Sequence, residues 1–467
     1  MGRKKELPLL EKVKITDIGS EGNAIARVDN MVVFVPMLIP GDVVDIKIVK
    51  KRRKFIEGKV VRFHEYSPDR IKPRCIHFGI CGGCKWQHLP YPLQLQYKQK
   101  QITDNLQRIG KITLPDIDPI IGSPDLYLYR NKLEYTFSHK KWLTYDEMDS
   151  GADRDNALGF HIPGQFDKIL DIAECHLQPE PTNLIRNAVR EFSRNNNLEF
   201  FDLREQKGFL RNIIIRNNLA GDVMVIVVFF YEDKVRRESL LRFISGQFPM
   251  VTSLMYIINS KKNDSLGDQD PVLFAGDDHL IERMGDLKFR IGPKSFYQTN
   301  TKQAEALYNT AVNFAALTGN EIVYDLYTGT GTIANFVASS SKSVIGIEYV
   351  EDAVKDARIN SGLNDIRNTR FFSGDMKDVL TAGFMEANGY PDVIITDPPR
   401  AGMHEDVVNA ILKASPERIV YVSCNPSTQA RDINLLSGNY QVTRVQPVDM
   451  FPHTHHVENV ALLEKMH

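Results

Sequence analysis

The stretch Tyr421-Val422-Ser423-Cys424-Asn425-Pro426 ends a short apolar run on a cysteine and follows it directly with Asn-Pro. The residues before Cys424 are apolar and partly β-branched, which predicts a buried parallel strand. Because proline is tolerated in the first turn of a helix, Pro426 is expected to begin one. Cys424 would then lie at the carboxyl edge of a sheet, where open α/β folds bind ligands, and the helix dipole would favour its thiolate. A cysteine buried in the core is the alternative interpretation.

Length and composition limit the class of protein. A chain of 467 residues is too long for one core and should hold roughly two to four domains. No stretch is apolar enough to span a membrane, and the charged start Met1-Gly2-Arg3-Lys4-Lys5 is not followed by the apolar region of an export signal. Five cysteines in such a chain indicate the reducing cytoplasm. We therefore expect a cytoplasmic protein that has no membrane contact.

The charge is distributed unevenly along the chain. Residues 1–110 carry 21 Lys and Arg against 11 Asp and Glu, whereas the remainder carries 37 against 48. A basic front end on an acidic body predicts that the front end meets a polyanion. An ordinary solvated face is the alternative for any single run of charges.

The first seventy residues alternate short strand-like runs with glycines, which predicts a five-stranded, OB-like β-barrel. Lys50-Lys51-Arg52-Arg53-Lys54 falls at a predicted hairpin tip, where adjacent cations suit phosphate contact without base specificity. This stretch resembles the TRAM domain, which implies that residues 1–68 bind RNA.

Three cysteines cluster with the spacing Cys-x5-Cys-x2-Cys, and a fourth lies further along the chain. Two glycines inside the shorter loop would let the backbone wrap closely around a metal. Four thiolates are the ligand set of a [4Fe–4S] cluster, although zinc would accept the same ligands. The Cys-x3-Cys-x2-Cys run of radical-generating clusters is absent, so a structural or RNA-orienting cluster is expected. The candidate ligands are Cys75, Cys81, Cys84 and Cys175.

The middle of the chain, residues 69–290, is expected to form a β-rich iron–sulfur domain that shapes the substrate cleft. The stretch 91–110 predicts a long polar helix, and strand-like runs lie at 132–138, 208–216 and 222–231. The aromatic and cationic stretch 127–132 could contact RNA by stacking and phosphate binding. Packing of an edge strand explains this stretch equally well.

From residue 321 the pattern becomes a regular β/α alternation. A strand at 321–326 leads into the glycine loop Tyr327-Thr328-Gly329-Thr330-Gly331, and the next strand ends on Glu348. A glycine loop followed by an acid at the next strand tip is typical of an adenosyl ribose site. No third glycine follows for a dinucleotide pyrophosphate. Four acids at successive strand ends fit the sulfonium and ammonium of S-adenosylmethionine, namely Asp325, Glu348, Asp375 and Asp397, and each alone could be a helix N-cap.

Two features indicate which atom is methylated. Amino-group methyltransferases place an aromatic residue after Asp-Pro-Pro, and here Arg400 stands in that place. Carbon-5 of uracil is a weak nucleophile, so it needs a thiolate at carbon-6 and later a base to remove the carbon-5 proton. Cys424 fits the nucleophile and Glu458 the base. His453, His455 and His456 are rivals for the base, because the free pKa of histidine is roughly 6.5.

Five motifs together resemble the RNA uracil-5-methyltransferase family, and with the front barrel and the cysteines the match spans nearly the whole chain. The similarity is greatest to the iron–sulfur branch that methylates 23S ribosomal RNA. The resemblance implies Cys424 as nucleophile, Glu458 as base and a [4Fe–4S] cluster on the four cysteines named above, and a monomer is a separate expectation. The resemblance also implies methyl-donor contacts from Gln298, Tyr327, Glu348 and Asp397, with Asp375 near the adenine. The motifs are residues 294–300, 325–331, 397–402, 423–426 and 451–458.

We therefore expect a multidomain α/β enzyme whose residues 291–467 form a Rossmann-like class I methyltransferase domain. The expected product is 5-methyluridine in 23S ribosomal RNA, and transfer RNA is the alternative substrate. An RNA cytosine-5-methyltransferase is disfavoured, because those enzymes carry a cysteine where Arg400 stands. A non-enzymatic iron–sulfur RNA-binding protein would have no use for Cys424, Glu458 or Gln298.

Overall fold

The computed structural model describes residues 8–467, so the charged start Met1–Lys5 lies outside the described residues. The first six strands form one sheet in the order β1-β5-β6-β4-β3-β2. Five strands were predicted here; the first is divided in two, because β1 pairs with β5 whereas β2 pairs with β3. Closure of this sheet into an OB-like barrel stays a prediction. The strands are β1 (Leu9–Lys14), β2 (Asp17–Ile18), β3 (Ala24–Val28), β4 (Met31–Val35), β5 (Val43–Lys51) and β6 (Phe55–Glu65).

A second sheet of seven strands follows, in the order β13-β12-β11-β10-β7-β8-β9. Its central strands are covered on both faces: Ile213 packs with α3 and α4, whereas Ile214 packs with the C-terminal half. The elements are α1 (Tyr91–Arg108), β7 (Lys132–Lys140), α2 (Tyr145–Asp149), β8 (Asp155–Ile162), β9 (Gln165–Asp171), α3 (Thr182–Asn195), β10 (Leu210–Asn217), β11 (Val223–Phe229), α4 (Lys234–Gln247), β12 (Val251–Ile258) and β13 (Val272–Gly276).

The C-terminal sheet has the order β18-β17-β16-β19-β20-β22-β21, preceded by the hairpin β14–β15. Strands β16 to β20 are parallel, and β22 enters antiparallel between β20 and β21. The elements are β14 (Leu280–Met284), β15 (Leu287–Ile291), α5 (Thr301–Ala315), β16 (Ile322–Leu326), α6 (Thr332–Ala338), β17 (Ser343–Glu348), α7 (Glu351–Leu363), β18 (Thr369–Ser373), α8 (Met376–Val379), α9 (Ala382–Asn388), β19 (Val393–Thr396), α10 (Glu405–Ala414), β20 (Arg418–Ser423), α11 (Pro426–Leu436), β21 (Tyr440–Val448) and β22 (Glu458–Lys465).

Helix α1 packs against the C-terminal sheet, although it lies far from that sheet in the sequence. Ile102 and Leu106 join the core that contains Ala430 and Ile433 of α11. The prediction of a polar helix identified the element but not its burial, because the buried face also carries Gln94 and Lys98. No helix within residues 8–467 is long and apolar enough to cross a membrane.

Candidate active site

Three of the predicted site residues lie in one row at the carboxyl edge of the C-terminal sheet. Leu326 pairs with Ile347 on one side and with Thr396 on the other. The residues that follow them, Tyr327, Glu348 and Asp397, are therefore neighbours on adjacent strands. The parallel register brings together side chains that are far apart in the sequence, and open α/β sheets bind ligands at this edge.

The glycine loop between β16 and α6 has a constrained backbone. Tyr327 has φ +62°, a conformation that a side chain seldom adopts and that is found preferentially at functional sites. Gly331 has φ +78°, and a Cβ there would lie 2.9 Å from the Cβ of Ala357. Asp325 lies inside β16 rather than at its tip. It accepts hydrogen bonds from the Thr328 hydroxyl at 2.5 Å and the Ala334 amide at 3.0 Å, so it fixes the loop.

Glu348 and Asp375 differ in their surroundings. Glu348 accepts from the amides of Gly329 at 3.0 Å and Val350 at 2.9 Å, so its carboxylate is held beside the glycine loop. Asp375 caps the short helix α8 by accepting from the Lys377 amide at 3.3 Å, and it is half-buried. Asp375 is therefore a helix N-cap, which was the alternative interpretation. It also lies just beyond the end of β18, at the same edge of the sheet.

Cys424 and Glu458 lie opposite each other at the end of the antiparallel pair β20–β22. The last pair of the ladder is Ser423 with Asn459, so the next residue on each strand faces the other. Gln429 of α11 joins the two strands, since its side-chain amide donates to the Tyr421 carbonyl at 2.9 Å and its carbonyl accepts from the Asn459 amide group at 2.8 Å. Pro426 begins α11 as predicted, and Asn425 caps it.

The charges around this pair act on both groups. Burial raises the pKa of the Cys424 thiol to about 11, and the charges of Glu458 and Asp397 add to this, whereas Arg400 opposes it. Burial and the charge of Asp397 raise the pKa of the Glu458 carboxyl to about 8, and Arg400 again opposes. Burial raises the pKa of Asp397 to about 7. The prediction that the α11 dipole favours the thiolate stays a prediction, and burial of the thiol acts in the opposite direction in the ligand-free protein.

Gln298 reaches the same region from the segment before α5. Its side chain lies beside the hydroxyl of Tyr308, whose pKa is raised by burial and by the charges of Asp397 and Glu458. The Gln298 backbone carbonyl accepts from the Asn131 side chain at 2.9 Å, which ties this segment to the central sheet. All the residues predicted to act on the methyl donor or on the uracil therefore belong to one region of the C-terminal half.

Two of the three histidines that rivalled Glu458, His453 and His455, contact the N-terminal part of the protein, and the charge of Arg400 acts on His455 and His456. The His453 carbonyl accepts from the Lys85 and Trp86 amides at 2.8 and 3.0 Å. The His455 Cβ lies against Gly22, and its ring lies tilted at 38° against the His456 ring, with 4.0 Å between centroids. Burial lowers the pKa of His453 and His456 to about 4 and that of His455 to about 3. Glu458, in contrast, is the residue that follows the last β20–β22 pair on the side of Cys424, and its charge acts on that thiol.

The four remaining cysteines line a second cavity, of about 470 Å³, in the central part of the protein. The two cysteine segments are joined there, because His77 accepts from the Ala173 amide at 3.0 Å. Burial raises the pKa of Cys81 to about 11 and that of Cys84 to about 12. Among the described residues, no three side chains of His, Cys, Asp or Glu lie close enough together to hold a metal ion. The donor set itself, four thiols around one cavity, fits a four-thiolate metal site.

Two residues of the site were not selected from the sequence. Arg400 was noted only as the residue that replaces an aromatic, yet its charge acts on both Cys424 and Glu458. Its position directly after Asp-Pro-Pro was a usable signal, because the loop after a strand end faces the ligand edge. Tyr308 carries no sequence signal, since an aromatic residue at an interior position of an amphipathic helix is ordinarily core.

Two family models match the chain. The family described as tRNA (Uracil-5-)-methyltransferase matches residues 275–466, and the TRAM domain matches residues 11–61. An uncharacterized RNA methyltransferase of Bacteroides thetaiotaomicron is 58% identical over 96% of this chain and 100% of its own. Another from Porphyromonas gingivalis is 55% identical over 97% of this chain and 99% of its own.

Among solved structures, the chain is similar to the Pyrococcus abyssi tRNA (uracil-54, C5)-methyltransferase in complex with S-adenosyl-L-homocysteine. The two share 28% identity and a TM-score of 0.76, over 97% of this chain and all of the other. The likeness therefore extends beyond the catalytic half to the whole molecule. The chain belongs to the RNA uracil-5-methyltransferase family and is an S-adenosylmethionine-dependent RNA methyltransferase.

Proposed function

We propose that this protein methylates carbon-5 of a uridine in 23S ribosomal RNA and yields 5-methyluridine through a covalent adduct on Cys424. The observation that carries this proposal is the opposed pair Cys424 and Glu458, which the β20–β22 register brings to the ligand edge of the sheet. A nucleophile facing a buried carboxyl is the arrangement that addition and later elimination at adjacent ring carbons require.

Each residue has one chemical role in the reaction. Cys424 adds as a thiolate to carbon-6, and the resulting enolate takes the methyl group through carbon-5 while the donor sulfur leaves. Glu458 then removes the carbon-5 proton, the carbon-6–sulfur bond breaks, and the thiolate is restored. Arg400 lowers the pKa of both groups, so it favours the charged forms that these steps use. The raised pKa of Glu458, about 8, makes its carboxylate a stronger base than an exposed one.

The methyl donor is assigned to the row of strand ends. Glu348 would accept from the ribose hydroxyls, with Tyr327 beside it, and Asp375 would lie near the adenine. Asp397 and Gln298 would lie toward the methionine part, since both are close to Tyr308 and hence to Glu458. The residues divide as 1–68 for the TRAM domain, 69–290 for the central domain and 291–467 for the methyltransferase domain. We propose that the protein works as a cytoplasmic monomer.

The cysteine cavity is assigned to a [4Fe–4S] cluster held by Cys75, Cys81, Cys84 and Cys175. Support comes from the four thiols around one cavity and from their two separate segments. A cluster there would cross-link those two segments and would take no part in the methyl transfer. Zinc would serve the same purpose with the same ligands.

The test is methylation of purified RNAs. We expect the protein and S-adenosylmethionine to form 5-methyluridine in unmodified 23S ribosomal RNA, mapped by mass spectrometry of nuclease fragments. Cys424→Ala should abolish both the product and the adduct with 5-fluorouracil-containing RNA. Glu458→Gln should accumulate the covalent RNA–protein complex, because methyl transfer proceeds and elimination stalls. An undiminished adduct in Cys424→Ala would reject the mechanism, and normal turnover of Glu458→Gln would return the base to a histidine.

Transfer RNA is the second candidate substrate. It is favoured by the similarity to the Pyrococcus abyssi enzyme, which acts on transfer RNA and matches this chain over its full length. The same assay with unmodified transfer RNA separates the two. Product in transfer RNA alone would replace the ribosomal assignment and leave the chemistry of Cys424 and Glu458 in place.

A further inference from the structure

The turn that joins β21 to β22 is held by the N-terminal half of helix α1. Asp449 opens this turn, directly after Val448, and Val448 pairs with Glu458 in the β21–β22 ladder. Lys98 donates to the Asp449 carboxylate at 2.5 Å and to the Phe451 carbonyl at 3.0 Å. Both charged side chains are fully buried. The ion pair thus joins two residues that are 351 positions apart in the sequence. One of them, Asp449, directly follows Val448, the residue that pairs with Glu458.

Neighbouring residues of α1 extend this contact. The Tyr91 hydroxyl donates to the second oxygen of Asp449 at 2.9 Å. Gln94 accepts from the His453 amide at 2.8 Å. His453 has φ +65°, and such a conformation persists only where the surroundings hold it. The face of α1 toward the turn is therefore polar at Tyr91, Gln94 and Lys98, whereas its C-terminal part is apolar at Ile102 and Leu106.

A buried ion pair of this kind is not needed for stability alone. Replacing both charges by apolar side chains of similar volume is often neutral or stabilising, because desolvation offsets the attraction between the charges. An ion pair does fix geometry, since any displacement leaves a buried charge without its partner. We propose that Lys98 and Asp449 are positioning residues that hold the β21–β22 turn so that Glu458 faces Cys424. This rests on the proposed function only for its catalytic consequence.

The decisive variants separate position from stability. Lys98→Met/Asp449→Leu removes both charges at similar volume and leaves no unpaired buried charge. Tyr91→Phe removes one hydrogen bond to Asp449 and keeps the ion pair. The matched control is Lys100→Met, on the same helix, whose exposed ammonium pairs with Asp17 and Asp104.

The first measurement needs no RNA. Iodoacetamide labelling of Cys424 is carried out at about pH 9, where Glu458 is ionised, and followed as its own peptide by mass spectrometry. The rate reports how near the charge of Glu458 is, because Glu458 and Asp397 retard thiolate formation while Arg400 promotes it. Glu458→Gln sets the scale for complete loss of that charge. We expect a several-fold faster labelling in the double variant, approaching that of Glu458→Gln, a smaller rise in Tyr91→Phe, and wild-type labelling in Lys100→Met.

The proposal is overturned if the double variant, folded by circular dichroism and binding S-adenosylhomocysteine normally, labels at the wild-type rate. If the double variant does not fold, an unchanged rate in Tyr91→Phe overturns it instead. The second measurement uses the RNA reaction: the double variant should accumulate covalent RNA–protein complex and lose kcat, with KM for the donor unchanged. If the wild-type protein methylates no RNA, the proposed function is refuted. The labelling experiment would still test whether Lys98 and Asp449 position Glu458, because it needs no RNA.

Discussion

The Glu348 carboxylate accepts a hydrogen bond from the Gly329 amide at 3.0 Å, which links the tip of β17 to the glycine loop after β16. The same carboxylate also accepts from the Val350 amide. The acid assigned to the ribose therefore fixes the loop on which the adenosyl group would rest. Under the proposed assignment, one side chain would both bind the donor and shape its binding surface.

Glu348→Ala should weaken donor binding in two ways: it removes the ribose acceptor and releases the Gly329 amide. Hydrogen bonds to a charged group contribute about 1.5–3 kcal/mol, so the Kd for S-adenosylhomocysteine should rise roughly 10- to 100-fold. Isothermal titration calorimetry measures this. Glu351→Ala is the control, since that exposed residue lies nearby at the start of α7 and pairs only with Lys355 among the described residues. An unchanged Kd in Glu348→Ala would place the ribose elsewhere.

Arg400 should control the reactivity of Cys424 through its charge. Its loop is fixed beside the nucleophile, because the Asn425 side chain donates to the Arg400 carbonyl at 2.8 Å. Arg400→Gln should slow iodoacetamide labelling of Cys424, because loss of the guanidinium raises the pKa of the thiol and a rise of one in that pKa lowers the thiolate fraction about tenfold. Arg400→Lys keeps the charge and should label near the wild-type rate. Equal labelling of both variants would show that the guanidinium charge does not reach the thiol.

Stability of the ligand-free protein should fall between about pH 7 and about pH 9, above the range near pH 6.5 where the lowered pKa values of His453, His455 and His456 act in the opposite direction. Burial raises the pKa of Asp325 and Asp397 to about 7, and that of Glu458 to about 8 with the help of Asp397. The folded protein therefore holds protons that the unfolded chain has released above about pH 4.5. This contribution is present at low pH and is lost as the pH rises through about 7 to 8.

Thermal unfolding at the two pH values measures this effect. Glu458→Gln should show a smaller fall in melting temperature, because one of the three buried carboxyls no longer titrates. The difference in unfolding free energy should be on the order of 1 kcal/mol, since a pKa that differs by one between the folded and unfolded chain corresponds to about 1.4 kcal/mol. Glu386→Gln, an exposed carboxyl on α9, should show the full fall. A melting temperature that rises toward the higher pH would contradict the direction of these pKa changes.

The central cavity should bind metal through its four thiols. Protein purified without oxygen should contain about four iron and four sulfide per chain and should absorb visible light. Cys81→Ala and Cys175→Ala should lose this content, whereas Cys424→Ala should retain it, because Cys424 lies in the other site. One zinc in place of iron would change the metal and keep the ligands. A metal content that none of these cysteine substitutions lowers would refute the assignment.

The ligand-binding edge of the C-terminal sheet could be predicted from the sequence. That Cys424 lies opposite Glu458 could be predicted only in part. Parallel strands share one carboxyl edge, so Glu348 and Asp397 could be placed together from the strand pattern alone. The pairing of Glu458 with Cys424 depends on β22 entering between β20 and β21. That strand order is set by tertiary packing, and the alternation of residues within a strand does not encode it. The family resemblance selected Glu458, whereas the reaction chemistry left three histidines as rivals.

Burial of Lys98 could not be predicted, because a helix rich in Gln and Lys ordinarily faces water. The signal was present in the spacing of Tyr91, Gln94, Lys98, Ile102 and Leu106, which share one face of α1. Because more than half of these positions are polar, the sequence does not show the apolar face that is typical of a buried helix. The burial of a lysine at this position is explained only by its ion pair with Asp449, which the structure shows.

The separation of Lys98 from Asp449 has a consequence for the growing polypeptide. Ribosomes add about 5–20 residues per second, so the lysine would wait tens of seconds for a carboxylate synthesised 351 positions later. Until then the β21–β22 turn is incomplete, and Cys424 has no Glu458 opposite it. A nascent chain whose TRAM domain has already been synthesised would therefore still lack the proposed proton acceptor.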